Sequence, residues 1–500
     1  HEQSIFKMSR GAKSGRWNDW NEGWSSHGSS AGQGRKSSGK SGGKGRHKGG
    51  SQKGGSSGGT GQGKGGDGAG GQKPTDDPHF VEWSEGMRFD GSRLGVSYVV
   101  EAYVASGTFS RVFRVRAVPA ASEEGAEEAG DSDATASQSK GARRRWAQKS
   151  ATAAGSGAAP MEVESSLVGS YPLAAKVMRK TDAYIQYSSD AQKEGELLQR
   201  IEAAQQRLGK EVLTMRCFDS FATSDNAGNE YWCLILEWLD ASLFDLVRVN
   251  GNRGLHLSMV RVMLSQLLEQ LHVLQSHSCT HTDIKHKNCC LLDTEHFMAP
   301  VGSAQRQTMI LTRPLAKFID YGNAVFEGEK KTHPIHTKQF RAPEVLLNVT
   351  EGWGPPSDTW TLGVTAAFLV SGQLLFNSHD PGALLRAMVQ ALGPFPASFL
   401  ETARDGRMRR VAEESSRDAG SPMLGEWLGL RGAEEKSPEA SCVDLLRRML
   451  ALDPAQRISA AEALEHPFIA SGQPSVPSKP AGAELKSLRG AQSQSSSTGK

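Results

Sequence analysis

Residues 281–288 read His-Thr-Asp-Ile-Lys-His-Lys-Asn, which places an aspartate, a lysine two residues on and an asparagine five residues on. That set suits phosphoryl transfer. Asp283 can accept a hydroxyl proton, Lys285 can neutralise the moving phosphoryl group, and Asn288 can hold a metal ion. Downstream, Asp320-Tyr321-Gly322 follows the apolar Phe318-Ile319, so a second carboxylate sits at a strand end where it suits Mg2+. Arg341-Ala342-Pro343-Glu344 begins 21 residues later. Upstream, Lys176 lies on a predicted strand and Glu194 on the next predicted helix, a pair able to aim the lysine at ATP phosphates. Taken singly these are weak signals, since an Asp-x-Lys is ordinary surface charge and a Lys–Glu pair is an ordinary ion pair. Their order along one chain makes them a candidate site.

These residues need elements to hold them. Alternating apolar character runs through Val96, Tyr98, Val100, Ala102 and Val104 and resumes at Phe109, Val112, Phe113 and Val115, which predicts a strand–turn–strand hairpin. A further strand is expected over residues 173–178. Between them, residues 119–166 run through an acidic patch (Glu123, Glu124, Glu127, Glu128, Asp131 and Asp133), Arg143-Arg144-Arg145 and Ala/Ser/Gly filler, a solvated insertion. Leu197, Leu198 and Ile201 mark a helix, and Cys233–Leu236 a strand. Met259 to Leu274 repeats apolar residues at three- and four-residue intervals, a strongly amphipathic helix. Helices are also expected over Thr361–Val370, Leu445–Leu452 and Ala460–Leu464. Strands first and helices after, with no repeat, predict an α+β domain of two lobes.

Charge divides the chain differently. The first 75 of 500 residues hold 23 of 56 glycines and 13 Lys+Arg against 4 Asp+Glu, while the remainder carries 45 against 51. The net +3 is therefore a tail of +9 on a body of −6. Such a tail buries too little apolar surface to offset its ordering entropy, so residues 1–94 are expected to be disordered, as are residues 471–500. No stretch approaches the roughly 18 consecutive apolar residues of a membrane span, and Ile5, Phe6 and Met8 lie among polar residues, unlike a secretory leader. The six cysteines are irregularly spaced, as expected of reduced intracellular thiols, and His286, Cys289 and Cys290 do not follow zinc spacing.

With these residues in place, the chain resembles the eukaryotic protein kinases over about residues 95–470. The resemblance implies a bilobal kinase fold, with a small antiparallel lobe over 95–239 and a larger helical lobe over 240–470. It implies that Asp283 is the catalytic base and Lys285 the phosphate-neutralising lysine, with Asn288 and Asp320 as Mg2+ ligands. Lys176 and Glu194 become the pair that orients ATP, Glu237-Trp238-Leu239 the hinge, and Leu236 the gatekeeper. Val104, Ala105, Ser106, Gly107, Thr108, Phe109, Ser110 and Val112 form the loop over ATP, and Ala174 and Leu239 border adenine. Glu344 and Arg457 stand where the family has a structural ion pair, and Asp358 where an aspartate supports the catalytic loop.

The sequence departs from the family at several positions. The glycine-rich loop keeps only Gly107, its flanking glycines being Ala105 and Ser110. The arginine expected before the catalytic aspartate is Thr282, which removes the usual anchor for a phosphorylated activation loop. His286 and Lys287 replace Pro-Glu, and Tyr321 replaces Phe. None removes a catalytic group.

The His-Thr-Asp-Ile-Lys form, the arginine of Phe340-Arg341-Ala-Pro-Glu and the long segment 393–440 resemble the CMGC group of cyclin-dependent, MAP, LAMMER and SR-protein kinases. Residues 103–116, 254–261 and 449–459 resemble the pre-mRNA-processing-factor-four kinases most closely. LAMMER and SR-protein kinases are near rivals. Residues 293–314 resemble the LAMMER hairpin, Gly322-Asn323-Ala324 the SR-protein kinases, and the LAMMER stretch itself is degenerate at Leu385–Gln390. All three imply ATP and Mg2+, a nuclear location and Ser/Thr phosphorylation of Arg/Ser-rich splicing proteins, by a chain expected to be monomeric and off the membrane.

Other classes remain open on the residues. A pseudokinase scaffold fits the altered loop and Thr282. A tail carrying Trp17, Trp20 and Trp24 among Lys, Arg and Gly can contact RNA weakly, although a solvated linker is the plainer reading. Arg143–Arg145 is short for a nuclear import signal. Thr337 stands where related kinases carry an activation-segment hydroxyl, Phe340 excludes tyrosine autophosphorylation at its position, and His333 and His336 are expected to be exposed and without metal.

Overall fold

The computed structural model describes residues 79–90, 94–107, 109–120, 168, 171–180, 185–207, 213–225, 227–301, 306–326, 328–329 and 335–488. Expectations placed on residues 1–78, on 121–166 (Arg143–Arg145 included), and on Thr108, His333 and 489–500 lie outside them.

Six antiparallel strands make the first lobe, in the spatial order β1-β2-β3-β4-β6-β5. They are β1 (Arg88–Asp90), β2 (Val96–Ser106), β3 (Ser110–Pro119), β4 (Leu173–Lys180), β5 (Cys217–Ser224) and β6 (Glu230–Glu237). Side chains alternate across the sheet as the strand period requires. Ala175, Val177, Cys233 and Ile235 join one core, while Ala174, Met178, Leu234 and Leu236 join the other. On that second face lies α1 (Ile185–Arg207), which buries Leu197, Leu198 and Ile201.

The first core is closed by residues that the sequence reading left in the disordered tail. Phe80, Val81 and Trp83 are buried, Trp83 stacks on Phe89 with centroids 4.1 Å apart, and the buried Arg111 donates to the Val81 carbonyl at 2.8 Å. The expectation of disorder to residue 94 is corrected over 79–90. These aromatic side chains supply the apolar area that the Gly/Lys run lacks.

Helices dominate the second lobe: α2 (Leu243–Val249), α3 (Leu257–Ser276), α4 (Pro355–Ser371), α5 (Pro381–Leu392), α6 (Gly406–Arg417) and α7 (Pro438–Met449). The expected stripe from Met259 to Leu274 is the buried face of α3. Helix α4 is buried from Ser357 through Val370; Pro355 starts it, and Gly372 ends it in the left-handed region at φ 76°. A Cβ on Gly254 would fall on the Val370 carbonyl, so only glycine lets the chain entering α3 lie against the end of α4. The helix expected over Leu445–Leu452 ends at Met449.

Short strands pin the loops between the lobes. They are β7 (Ala241–Ser242), β8 (Cys279–Thr280), β9 (Cys289–Leu291), β12 (Ala316–Phe318) and β13 (Val325–Phe326). β9 lies between β7 and β12, and β8 pairs with β13. The loop 281–288, held between β8 and β9, is thereby laid beside the loop 319–324, held between β12 and β13. β10 (Glu295–Val301) and β11 (Arg306–Leu311) form a hairpin whose outer edge carries β14 (Lys486–Ser487). Residues 471–488 are thus placed, with Leu488 buried, and the expected disorder after 470 is corrected over them. All six cysteines are free thiols. No helix among the described residues is long and apolar enough to cross a membrane.

Candidate active site

Lys176 sits mid-strand on β4, opposite Val112 on β3 and Leu234 on β6. Its ammonium lies 2.7 Å from Glu194 Oε2 on α1 and 2.8 Å from Asp320 Oδ1. Three residues far apart in sequence converge on one nitrogen. Burial disfavours the ammonium, but Asp320 and Glu194 outweigh it and the Lys176 pKa is raised. Lys176, chiefly, brings the Asp320 carboxyl down to about 2 against the effect of burial. Burial pushes Glu194 up, with Lys176 opposing. Glu194 Oε1 also accepts the Tyr321 N–H at 3.0 Å, so the α1 carboxylate grips both the lysine and the backbone beside Asp320.

Asp283 forms the second cluster. Lys285 Nζ stands 2.6 Å from its Oδ2, and Asn288 Nδ2 donates to that oxygen at 3.1 Å and to the Asp283 carbonyl at 2.9 Å. Thr337 donates its hydroxyl to Oδ1 at 2.9 Å and accepts from Lys285 at 3.0 Å. Ile319 N–H donates to the Asn288 carbonyl at 2.9 Å, which ties this cluster to the chain entering Asp320.

Buried polar residues hold the loop beneath. Asp358, inside α4, accepts the backbone N–H groups of His281 and Thr282. Its burial, against those two bonds, pushes its carboxyl up to about 7. Burial lowers the His281 pKa, and one neutral tautomer satisfies both ring nitrogens: Nε2–H donates to the Ile319 carbonyl and Nδ1 accepts the Asp283 N–H. Thr282, at φ 72°, donates its hydroxyl to the Asn323 carbonyl at 2.9 Å and accepts the His336 N–H at 3.1 Å. One residue therefore joins both ends of the activation segment to the catalytic loop. His286, which replaces proline, packs among Phe244, Phe340 and Phe368; burial, then Lys287 and Lys285, brings it down to about 3. His336, expected to be exposed, is buried and its pKa lowered. The reason is local: Thr282 and Arg341 hold its backbone N–H and carbonyl.

The remaining candidate residues lie on β2, β3 and β4, in the β2–β3 turn, and at and after the end of β6. Ala105 pairs with Val112 and Ser106 with Arg111, and Gly107 N–H closes the turn on the Ser110 carbonyl at 2.8 Å. Phe109 and Val112 pack on the core, Ser110 is buried, and Val104 is exposed at the rim. Gly107 lies outside the left-handed region, and a Cβ there would meet only Ser110 O at 3.7 Å. The hairpin does not itself need a glycine there. Ala174 pairs with Leu236 across β4 and β6. Beyond them, Glu237 binds Lys317 at 2.8 Å, Trp238 donates to Asp240 at 3.0 Å, and Leu239 is half-buried. In the large lobe Glu344 and Arg457 form a fully buried two-bond pair at 2.8 and 3.0 Å.

Every candidate catalytic and metal residue falls into these two clusters. The roles of Thr337 and of Thr282 as a two-ended staple escaped the sequence reading. Their only signal was position, a hydroxyl before the Phe340-Arg-Ala-Pro-Glu segment and one before Asp283. For a divalent cation the donor set fits Mg2+, because the Asp320 carboxylate and the Asn288 amide oxygen are hard donors and Mg2+ keeps several waters. The fold thus holds the ionised Asp320 carboxylate, Lys176, Lys285 and the Asp283 carboxylate in two clusters joined through Ile319 and Asn288.

Comparison with known proteins agrees. The family model "Protein kinase domain" matches residues 166–469. The chain is 28% identical over 310 residues to the dual specificity protein kinase CLK1 of Mus musculus, covering 60% of this chain and 61% of that one. It is 31% identical over 256 residues to the serine/threonine-protein kinase AFC2 of Arabidopsis thaliana, covering 48% and 59%. The chain thus spans about three-fifths of the length of these relatives. A crystal structure of the kinase domain of PF14_0431 superposes with a TM-score of 0.56 at 22% identity, covering 78% of this chain and 99% of that one.

Proposed function

Because the chain belongs to the protein kinase domain family, we propose that it is a serine/threonine protein kinase that moves the γ-phosphoryl group of ATP to protein hydroxyls with Mg2+. One observation carries this reading. Asp283, Lys285 and Thr337 form a single hydrogen-bonded set beside the Lys176–Glu194–Asp320 triad. Phosphoryl transfer asks a protein for positioning and charge stabilisation, and these residues supply both. Asp283 orients the acceptor hydroxyl and takes its proton as the oxygen–phosphorus bond forms. Lys285 offsets the charge of the phosphoryl group in transit. Lys176 holds the nucleotide phosphates under Gly107, while Ala174, Val112 and Leu239 border the base. Asp320 and Asn288 would hold Mg2+, which when bound neutralises phosphate charge.

The finer reading is a nuclear kinase of pre-mRNA splicing proteins, supported by the resemblance of segments 103–116, 254–261 and 449–459 to the pre-mRNA-processing-factor-four kinases. A second reading, a LAMMER-type kinase that also accepts tyrosine, is favoured by the β10–β11 hairpin at the place the LAMMER resemblance indicated. Phosphosite mapping in nuclear extract, wild type against Asp283→Asn, tests both. Sites enriched in Ser/Arg-rich splicing factors support the first, added phosphotyrosine supports the second, and sites elsewhere leave only the general activity.

A further inference from the structure

After its last helical turn the chain runs back over the large lobe as a strap. Arg261 Nε on α3 donates to the Pro474 carbonyl at 3.3 Å, Val476 and Ala483 pack against the core, and Leu488 is buried in it. At the far end β14 adds two residues to the edge of the hairpin, Ser487 opposite Glu295 and Lys486 opposite His296. Beside that pairing and the buried Leu488, the Ser487 hydroxyl stands 3.2 Å from that of Thr294.

Thr294 leads to the hinge. Fully buried, it contacts Asp240 Oδ2 at 3.4 Å, and Asp240 Oδ1 accepts the Trp238 indole N–H at 3.0 Å. Asp240 N–H also donates to the Leu291 carbonyl at 2.8 Å. A line of contacts therefore runs from Ser487 through Thr294 and Asp240 to the residue after Glu237, beside the expected base-binding edge.

The surroundings of Ser487 are acidic. Glu295 is its cross-strand partner, and side chains so placed have Cβ atoms ~4.5–5.5 Å apart. Asp293 receives the Glu295 N–H at 2.8 Å, and Asp240 stands behind Thr294. Lys486 projects to the opposite face of the strand and lies 3.7 Å from Glu484. Both β14 residues are exposed.

We propose that Ser487 is a phosphorylation site, and that phosphate there releases the strap and loosens the Thr294–Asp240–Trp238 line at the hinge. In the step itself a protein kinase transfers the terminal phosphoryl group of ATP. The Ser487 O–H bond and the terminal P–O bond of ATP break, a Ser487 O–P bond forms, ADP leaves with the electron pair, and the proton passes to the acting kinase's base. The product carries roughly −1.5 to −2 charge directly across the strands from Glu295. Repulsion then acts on a two-residue strand, and the chain leaves the β10 edge.

The release does not depend on this chain's own activity. Hydrogen–deuterium exchange on the full chain compares wild type, Ser487→Glu and Ser487→Gln, which match in size and differ in charge. Amides of 486–488 and 295–297 should exchange at least tenfold faster in the glutamate variant, with the glutamine variant within about threefold of wild type. Equal rates in the two variants would overturn the charge trigger. Mass spectrometry of the full chain after Mg2+–ATP, with and without a eukaryotic cell extract, tests the modification. Phosphate at Ser487 in either arm supports it and tells self-modification from a separate kinase; none in both overturns it.

Discussion

Thr337 and Asp283 lie 54 residues apart in sequence and share a hydrogen bond of 2.9 Å. The same hydroxyl accepts from Lys285, so the segment around Thr337 is bonded to both members of the Asp283–Lys285 pair, the proposed proton acceptor and its lysine. Thr337 holds Oδ1 of the carboxylate while Lys285 and Asn288 hold Oδ2.

Replacing Thr337 by valine should therefore lower kcat while leaving the KM for ATP nearly unchanged. The lost bond is to a charged group, worth about 1.5–3 kcal/mol, which corresponds to about 10- to 160-fold in rate. Thr337→Ser keeps the hydroxyl and should stay within a few-fold of wild type. Steady-state kinetics on one peptide substrate separates the two; an effect confined to KM would remove Thr337 from this role.

Gly107 predicts the opposite division. A Cβ there fits the hairpin, so Gly107→Ala should leave stability unchanged or raise it by about 0.4–1 kcal/mol. The KM for ATP should rise several-fold, because the added methyl occupies the space a phosphate needs. Urea denaturation and ATP titration of one preparation read both effects.

The buried pair in the large lobe makes a stability prediction. Arg457→Ala leaves Glu344 charged and without its partner in a dry site, a loss of about 3–5 kcal/mol. The double variant Arg457→Met, Glu344→Leu should be less destabilised than the single one. Denaturant midpoints decide; a single-variant loss below about 1 kcal/mol would show the pair to be dispensable.

Asp358 sets a pH dependence whose sign follows from its raised pKa. The folded chain holds the Asp358 proton up to about pH 7, while the unfolded chain releases it near the ordinary value of 3.8. Between those limits the folded state binds more protons, so this residue's contribution to stability is full below about pH 4 and declines as pH rises towards 7. Asp358→Asn abolishes that slope but also loses an acceptor, a constant offset. Melting temperatures of both proteins from pH 4 to 8 should show the wild type losing ground to the variant across the window. A constant difference would mean Asp358 is ionised throughout.

The two clusters of candidate residues were legible in the sequence because the proposed chemistry fixes residue type and order along the chain. Lys176, Glu194, Asp283, Lys285, Asn288 and Asp320 each occur once in an ordered series, and the flanking apolar runs place them at strand and helix positions. The large amphipathic helix was legible for a similar reason, since a stripe such as Met263, Leu267, Leu271 and Leu274 has only one face to bury. Contacts across long separations were not. Thr282 reads as a lost arginine, and only the fold shows its hydroxyl and carbonyl joining Asn323 and His336. The strap and the segment before β1 escaped because isolated apolar residues, Val476 and Leu488 in one and Val81 and Trp83 in the other, carry no period among polar neighbours. Their order comes from tertiary burial, which local composition does not display.

The central claim is that Asp283 accepts the proton in phosphoryl transfer from ATP. Purified protein with Mg2+–ATP and a Ser/Arg-rich protein substrate should form phosphoserine. Asp283→Asn should bind ATP with nearly wild-type affinity and transfer phosphate about 10²–10⁴-fold more slowly. Absence of transfer by the wild type, or undiminished transfer by the variant, would contradict the account.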